Sequence, residues 1–296
     1  MRAVGAFSPG HITGFVEFPI TDDDPLLKGS RGAGICISRG VRTMVHAEPS
    51  GRNRVSILMN GVYADDAEVS RYVVEEYLRI AKGSFSIKVD HELEIPVGYG
   101  LGSSGAAALS LSLALDKALE TGLSDVEAAQ IAHKADLTCK CGLGTVLAEY
   151  HGGFEMRLDP GAPGIGVVHT IPLDRKVVIL CISPVSTKEF LTSKMTLING
   201  LGGKMLSKLA KTRSVDDFMD MSLQFARSIG FVSERCKRII NEMNSNGFKC
   251  STAMFGETIF SVVRDEEVNG VKKIFSKYDG ELLVSDIYAR GARMLC

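Results

Sequence analysis

The run Pro96-Val97-Gly98-Tyr99-Gly100-Leu101-Gly102-Ser103-Ser104-Gly105 constrains this chain more than any other segment. It follows an alternating stretch and opens a helix pattern, 106–120, that is apolar nearly all round. A helix with no polar face has to be buried. The glycines let the backbone in front of it approach a ligand closely. The free N–H groups and the positive dipole end of the helix make an anion site there. Ser103 and Ser104 stand at the helix start, where a hydroxyl can cap the helix, touch a phosphate or ligate a metal ion.

Hydrophobic periodicity places this loop in a strand-and-helix context. Residues 2–7 read as a short strand, and 32–38 with 41–47 read as a hairpin turning at Arg39-Gly40. A strand over 54–58 precedes a helix over 67–81, where Val69, Tyr72, Val73, Tyr77 and Ile80 fall at helical spacing and Gly83 is the stop. Residues 84–95 alternate, with Phe85, Ile87 and Val89 on one face and Ser86, Lys88 and Asp90 on the other, the pattern of a half-buried strand. Ser124-Asp125-Val126-Glu127 is a capping box for a helix to about residue 135. A short helix over 142–150 ends at Gly152-Gly153, and a strand over 154–158 follows. The loop 160–166 precedes a domain boundary, giving expected domains of 1–172 and 173–296. The second half runs strand 176–182, helices 197–210, 215–230 and 234–243, strand 258–263, helix 266–277 and strand 281–288. That order predicts an α+β sandwich without internal repeats.

Composition narrows the function. A length of 296 residues suggests two domains at about 150 residues each. The chain carries 34 basic and 35 acidic residues, a net charge of -1, which argues against a nucleic-acid binder and against electrostatic attachment to a membrane. Seven cysteines, Cys36, Cys139, Cys141, Cys181, Cys236, Cys250 and Cys296, are scattered and odd in number, which reads as reduced thiols. Gly5, Ser8, Pro9, Gly10 and His11 break up the N-terminus before a signal peptide can form, and the apolar run 106–115 is too short to span a bilayer. A soluble cytoplasmic protein with no nucleic-acid or membrane partner is the expectation; a homodimer is compatible with it.

Several phosphate-loop patterns can be compared with 96–106. A P-loop needs Lys-Ser or Lys-Thr after its last glycine, whereas Ser104-Gly105-Ala106 stands here. Gly100-x-Gly102-x-x-Gly105 matches the dinucleotide fingerprint, but the next acids, Asp116 and Glu120, lie within the helix and no strand follows before Ser124. A loop whose glycines merely fit a tight strand-to-helix turn is the non-functional alternative. His133, Asp136, Cys139 and Cys141 raise a zinc site, against which Cys-x-Cys without a second pair is not a usual structural spacing.

The loop resembles that of the galactokinase, homoserine kinase, mevalonate kinase and phosphomevalonate kinase (GHMP) superfamily, which reads Pro-x-x-x-Gly-Leu-Gly-Ser-Ser-Ala. Here Gly105 precedes Ala106, where that superfamily usually begins its alanines. Ser8-Pro9-Gly10-His11-Ile12-Thr13-Gly14-Phe15 stands where the superfamily has Ala-Pro-Gly-Lys and a short turn, with His11 for the lysine. The superfamily's catalytic Asp, seven residues before a Gly-Gly pair, is replaced by Thr145, as in homoserine kinases, which also lack it. Its third glycine-rich motif is eroded to Ser251-Thr252-Ala253-Met254-Phe255-Gly256. The substitutions have a pattern of their own. Together with Arg31-Gly32-Ala33-Gly34, Gly142-Leu143-Gly144-Thr145-Val146, Gly153-Phe154-Glu155-Met156-Arg157 and Pro160-Gly161-Ala162-Pro163-Gly164, they resemble the archaeal pantoate kinase family over the whole chain.

The resemblance implies an N-terminal domain like domain 2 of ribosomal protein S5, a ferredoxin-like C-terminal domain, and ATP-dependent phosphorylation of (R)-pantoate on the archaeal route to coenzyme A. Homoserine or mevalonate as acceptor, or a non-catalytic sensor on the same fold, are the alternatives. By the same resemblance Pro96, Gly98, Gly100, Leu101, Gly102, Ser103, Ser104 and Gly105 hold ATP, Ser104 and Asp136 hold Mg²⁺, and Ser104, Asp136 and Thr145 form the catalytic set. His11, Ser30, Arg31 and Arg157 are the expected acceptor-binding residues, since arginine takes a carboxylate bidentately. A threonine hydroxyl is no strong base, and Glu149, one turn on, is the alternative proton acceptor. Phosphoryl transfer tolerates a weak base, because positioning and charge neutralisation carry most of the catalysis.

Overall fold

The computed structural model describes residues 3–19, 23–142, 144–185, 198 and 200–295. Strands β1 (Ala3–Glu17), β2 (Arg31–Pro49), β3 (Arg54–Met59) and β4 (Val62–Tyr63) lead to helix α1 (Glu68–Ile80) and strand β5 (Phe85–Leu93). Helices α2 (Ser103–Leu119), α3 (Asp125–Thr138) and α4 (Thr145–His151) precede β6 (Phe154–Asp159) and β7 (Val167–Ile171). The remainder is β8 (Lys176–Ser183), α5 (Leu201–Thr212), α6 (Val215–Ser228), α7 (Glu234–Ser245), β9 (Ser251–Thr252), β10 (Glu257–Val263), α8 (Val268–Phe275), β11 (Glu281–Asp286) and β12 (Arg293–Met294).

Among the described residues, eight strands form one sheet in the order β12-β1-β2-β5-β3-β4, with β6 and β7 added beside β2; four form a second sheet, β11-β8-β10-β9. The long strand β2 divides the first sheet. Its residues 32–35 pair with β6, and 41–49 pair with β5. Helix α2 is buried along most of its length, as its all-round apolar pattern requires, packing with α1, α3 and the inner face of β1 and β2. A second core joins Phe15, Phe154 and Ile35 of the first sheet to Ile179 and Phe260 of the second and to Phe218 and Phe225 of α6. The capping box forms as the sequence requires: the Ser124 hydroxyl accepts from the Glu127 N–H, and the Glu127 carboxylate accepts from the Ser124 N–H.

Two expectations are corrected. Residues 32–38 and 41–47 are not a hairpin but one strand that runs through Arg39-Gly40. Gly40 lies opposite Pro9 at a register shift, where a Cβ would meet the Ser8 carbonyl oxygen at 2.0 Å. The glycine serves a close strand-to-strand approach at a bulge, not a turn. For the same reason β1 does not stop at residue 7. Pro9 and Gly10 flank the bulge, and the segment through Phe15 expected as a turn is strand. Residue 2, the expected start of β1, and residue 197, the expected start of α5, lie outside the described residues. The short strands β4, β9 and β12, and β7, carry no alternation long enough to read. The first sheet's chain ends at Ile171 and the second begins at Lys176, but β12 returns to pair with Ala6 and Phe7 of β1. Among the described residues no helix is long and apolar enough to cross a membrane.

Candidate active site

The glycine-rich loop enters α2 through Gly102, the N-cap, with φ 77°. Gly98 and Gly100 also hold positive φ, 86° and 71°. No side chain caps the helix, so neither Ser103 nor Ser104 is spent as the N-cap. Three other segments close on this loop. The N–H of His11 donates to the Leu101 carbonyl at 2.9 Å. A Cβ on Gly100 would meet the Met254 carbonyl oxygen at 2.2 Å, and one on Gly256 would meet the Tyr99 backbone at 2.2 Å. The eroded third motif therefore still packs against the loop. Thr145, the first residue of α4, sets its side-chain carbons against Gly102 and Gly105.

A cavity of about 300 Å³ opens in front of the loop. Gly98, Gly100, Leu101, Gly102, Ser103 and Ser104 line it on one side, and His11, Ser30, Thr145 and Arg157 line it elsewhere. Met254 and Phe255, which sequence reasoning left unassigned, line it as well. Pro96, Gly105, Arg31 and Asp136 are not among the lining residues. Arg31 is held at the start of β2 by Glu17 at 2.9 Å and by the Leu158 carbonyl at 2.7 Å. Ser30 is buried against Gly144, where a Cβ would lie 2.3 Å from its hydroxyl oxygen.

Two carboxyl groups lie just behind the lining. Asp136, in the last turn of α3, is buried, and neither of its oxygens has a hydrogen-bond partner among the described residues. Burial pushes its carboxyl up to about 7. It abuts the cavity through Gly142, whose Cβ, if present, would sit 2.1 Å from Oδ2. Glu149 is fully buried under the loop, against Gly102 and Gly105, and among the described residues both its oxygens also lack partners. Burial, and then the charge of Asp136, push its carboxyl well above the usual range. It does not line the cavity. Buried carboxylates without partners are costly, and a cation or ordered water is the usual remedy.

Two lining residues, Arg157 and His11, form a buried cluster with Glu155. Glu155 Oε1 accepts from Arg157 Nη1 at 2.9 Å and stands 2.9 Å from His11 Nε2. His11 Nε2 lies farther, 3.4 Å, from Arg157 Nη1, so the geometry puts the imidazole proton on Nε2, donating to Glu155. Burial lowers the His11 imidazole despite the Glu155 hydrogen bond, so it stands neutral near pH 7. Burial raises the Glu155 carboxyl, but the Arg157 charge and the His11 bond outweigh it and hold the group below its ordinary value. The Arg157 side chain is about 1% exposed, so its ion pair with Glu155 is buried and not at the surface. Glu155 was missed in the sequence; its signal was its place two residues from Arg157, on the same face of a strand.

His133 is drawn away from any zinc set. Its Nε2 faces the carbonyls of Lys28 and Pro25 at 3.0 and 3.2 Å. Among the described residues no group of three or more His, Cys, Asp or Glu stands ready to hold a metal ion.

Residues 68–153 match the model of the GHMP kinases N terminal domain. The chain is 33% identical over 293 residues to a pantoate kinase of Thermococcus kodakarensis, covering 96% of each chain. It is 32% identical to a pantoate kinase of Methanospirillum hungatei, covering 90% of each. A solved structure described as a phosphotransferase related to the CoA biosynthesis pathway superposes with a TM-score of 0.91 at 30% identity, over 99% of this chain and 98% of the other.

Proposed function

This chain belongs to the pantoate kinase family of the GHMP kinases, and from that premise we propose how its cavity carries the ATP-dependent phosphorylation of (R)-pantoate to (R)-4-phosphopantoate. One observation carries the assignment of roles: the glycine-rich loop and Arg157 line the same cavity. The loop and the start of α2 take the phosphates of ATP, with backbone N–H groups and the helix dipole facing the anion. Arg157 takes the carboxylate of the acceptor, and His11 and Ser30 contact its polar groups. Arg31 acts behind them, anchoring the start of β2 beside Ser30. The division into 1–172 and 173–296 is supported by the change of sheet between Ile171 and Lys176.

The residues present fit a divalent cation. Asp136 offers two buried oxygens without partners, and Ser104 offers a hydroxyl at the cavity. Mg²⁺ takes hard oxygen donors and few protein carboxylates beside phosphates. When bound, the ion neutralises charge on the phosphates. Ser104 and Asp136 would hold it, and Asp136 would then carry its negative charge with compensation. Thr145, in contact with the loop glycines, limits where the acceptor hydroxyl can sit and does not act as a strong base. The loose transition state of phosphoryl transfer asks mainly for alignment and charge neutralisation. The loop and Ser104 align the phosphates, and Asp136 contributes by holding the cation. Near-balanced charge and reduced cysteines support a cytoplasmic enzyme without a nucleic-acid partner.

Incubation with Mg-ATP and pantoate, homoserine or mevalonate in turn, with ADP measured, tests this function. ADP formed with pantoate alone is the expected result. Turnover confined to another acceptor, or none with any, would overturn it.

A further inference from the structure

Glu155 stands outside the cavity lining, yet both of its partners, Arg157 and His11, line it. It shares one face of β6 with Arg157, two residues on, and meets His11 of β1 across the intervening strand β2. That crossing is open because residue 34 is glycine: a Cβ there would lie 2.3 Å from His11 Nε2. With Nη1 donating to Glu155, Arg157 retains its other donors, and its Nε is buried without a partner among the described residues. A guanidinium is a rigid planar fork, so fixing one edge fixes the direction of the other.

We propose that Glu155 is a positioning residue, which by holding Arg157 and His11 together aims the free edge of the guanidinium at the carboxylate of the acceptor. The proposal rests on the pantoate kinase reading and adds to it how the site tells a carboxylate from an uncharged group of the same shape. Charge alone predicts the opposite effect of removing Glu155. An anion beside Arg157 repels an incoming carboxylate, so its neutralisation would tighten acceptor binding. Positioning predicts that binding loosens.

Two variants separate these outcomes. E155Q keeps the side-chain size and an acceptor oxygen while removing the charge. E155D keeps the charge and withdraws it by one methylene. Both are compared with the wild type in steady-state kinetics, with pantoate, the carboxamide of pantoate and ATP each varied. For both variants we expect the KM for pantoate to rise roughly tenfold or more, the size of a lost charge-assisted hydrogen bond, with that for ATP within about twofold. The preference for pantoate over its carboxamide should shrink in step. A wild type that does not turn over pantoate would overturn the functional reading itself. With wild-type turnover in hand, an unchanged or lower pantoate KM in the variants overturns the role of Glu155. So does an equal loss for acid and carboxamide, which marks a purely structural group. Should E155Q fail to fold, E155D decides alone, since charge by itself predicts no change in it.

Discussion

The imidazole of His11 crosses strand β2 directly over the α-carbon of Gly34, where any Cβ would approach Nε2 to 2.3 Å and Cε1 to 2.6 Å. The Gly-x-Gly of residues 32–34 thus has two distinct jobs. Gly32 holds φ +152° against the Phe15 backbone, and Gly34 leaves the passage through which β1 and β6 share a hydrogen bond.

Gly34→Ala should therefore act on the acceptor side. Its methyl group displaces the His11 ring, and with it the arrangement of Glu155 and Arg157. We expect a raised KM for pantoate with a nearly unchanged KM for ATP, because the nearest atoms the methyl meets are those of the His11 ring and the Ile12 carbonyl and not those of the phosphate loop. Steady-state kinetics with each substrate varied checks this, and a defect confined to ATP would contradict it.

Arg157→Ala should raise the pantoate KM far more than that for ATP. It should also destabilise the fold by about 3–5 kcal/mol, since Glu155 is left as a buried carboxylate without its guanidinium. Arg157→Lys keeps the charge without the fork and should rescue both effects only in part. Kinetics and urea unfolding on the same samples check the pair. An Arg157→Ala protein with wild-type pantoate KM would move the carboxylate to His11 or Ser30.

Ser104→Ala and Asp136→Ala should each cut turnover by roughly a hundredfold or more at saturating Mg-ATP while the protein stays folded. Gly142→Ala should reproduce part of the Asp136 defect, because its Cβ would sit 2.1 Å from Oδ2. Turnover with circular dichroism on each variant is the check. Full activity in both Ser104→Ala and Asp136→Ala would remove them from the phosphate and cation site.

Stability should fall in mild acid because of His91. This imidazole is buried between Thr43 of β2 at 2.8 Å and Ser70 of α1 at 3.0 Å, and burial lowers it from 6.5 to about 4. Between those values the unfolded chain binds a proton that the folded chain refuses, so stability is full above about pH 6.5 and declines as pH falls toward 4. The loss over the window is of the order of 3 kcal/mol. His91→Gln should be less stable near neutrality but show a flatter decline between pH 6.5 and 4. Urea unfolding at several pH values measures it, and equal slopes in wild type and variant would rule His91 out as the cause.

Much of this site is legible in the chain because its signals are local. Positive φ at Gly98, Gly100 and Gly102, the all-round apolar run of α2 and the Ser124–Glu127 box each depend on residues within a few positions of one another. The near-balanced charge of 34 basic and 35 acidic residues likewise needs no fold to be read. Arg39-Gly40 shows where local reading fails. The same glycine that favours a turn also permits a bulge, and only the pairing of β2 with β1 chose between them. Which carboxylate serves Arg157, whether Arg31 reaches the cavity, and why residue 34 must be glycine were decided by tertiary structure alone. His11 and Glu155 lie 144 residues apart in sequence, and their contact exists only because three strands come into register. Register follows from the packing of whole sheet faces, and no short segment carries it.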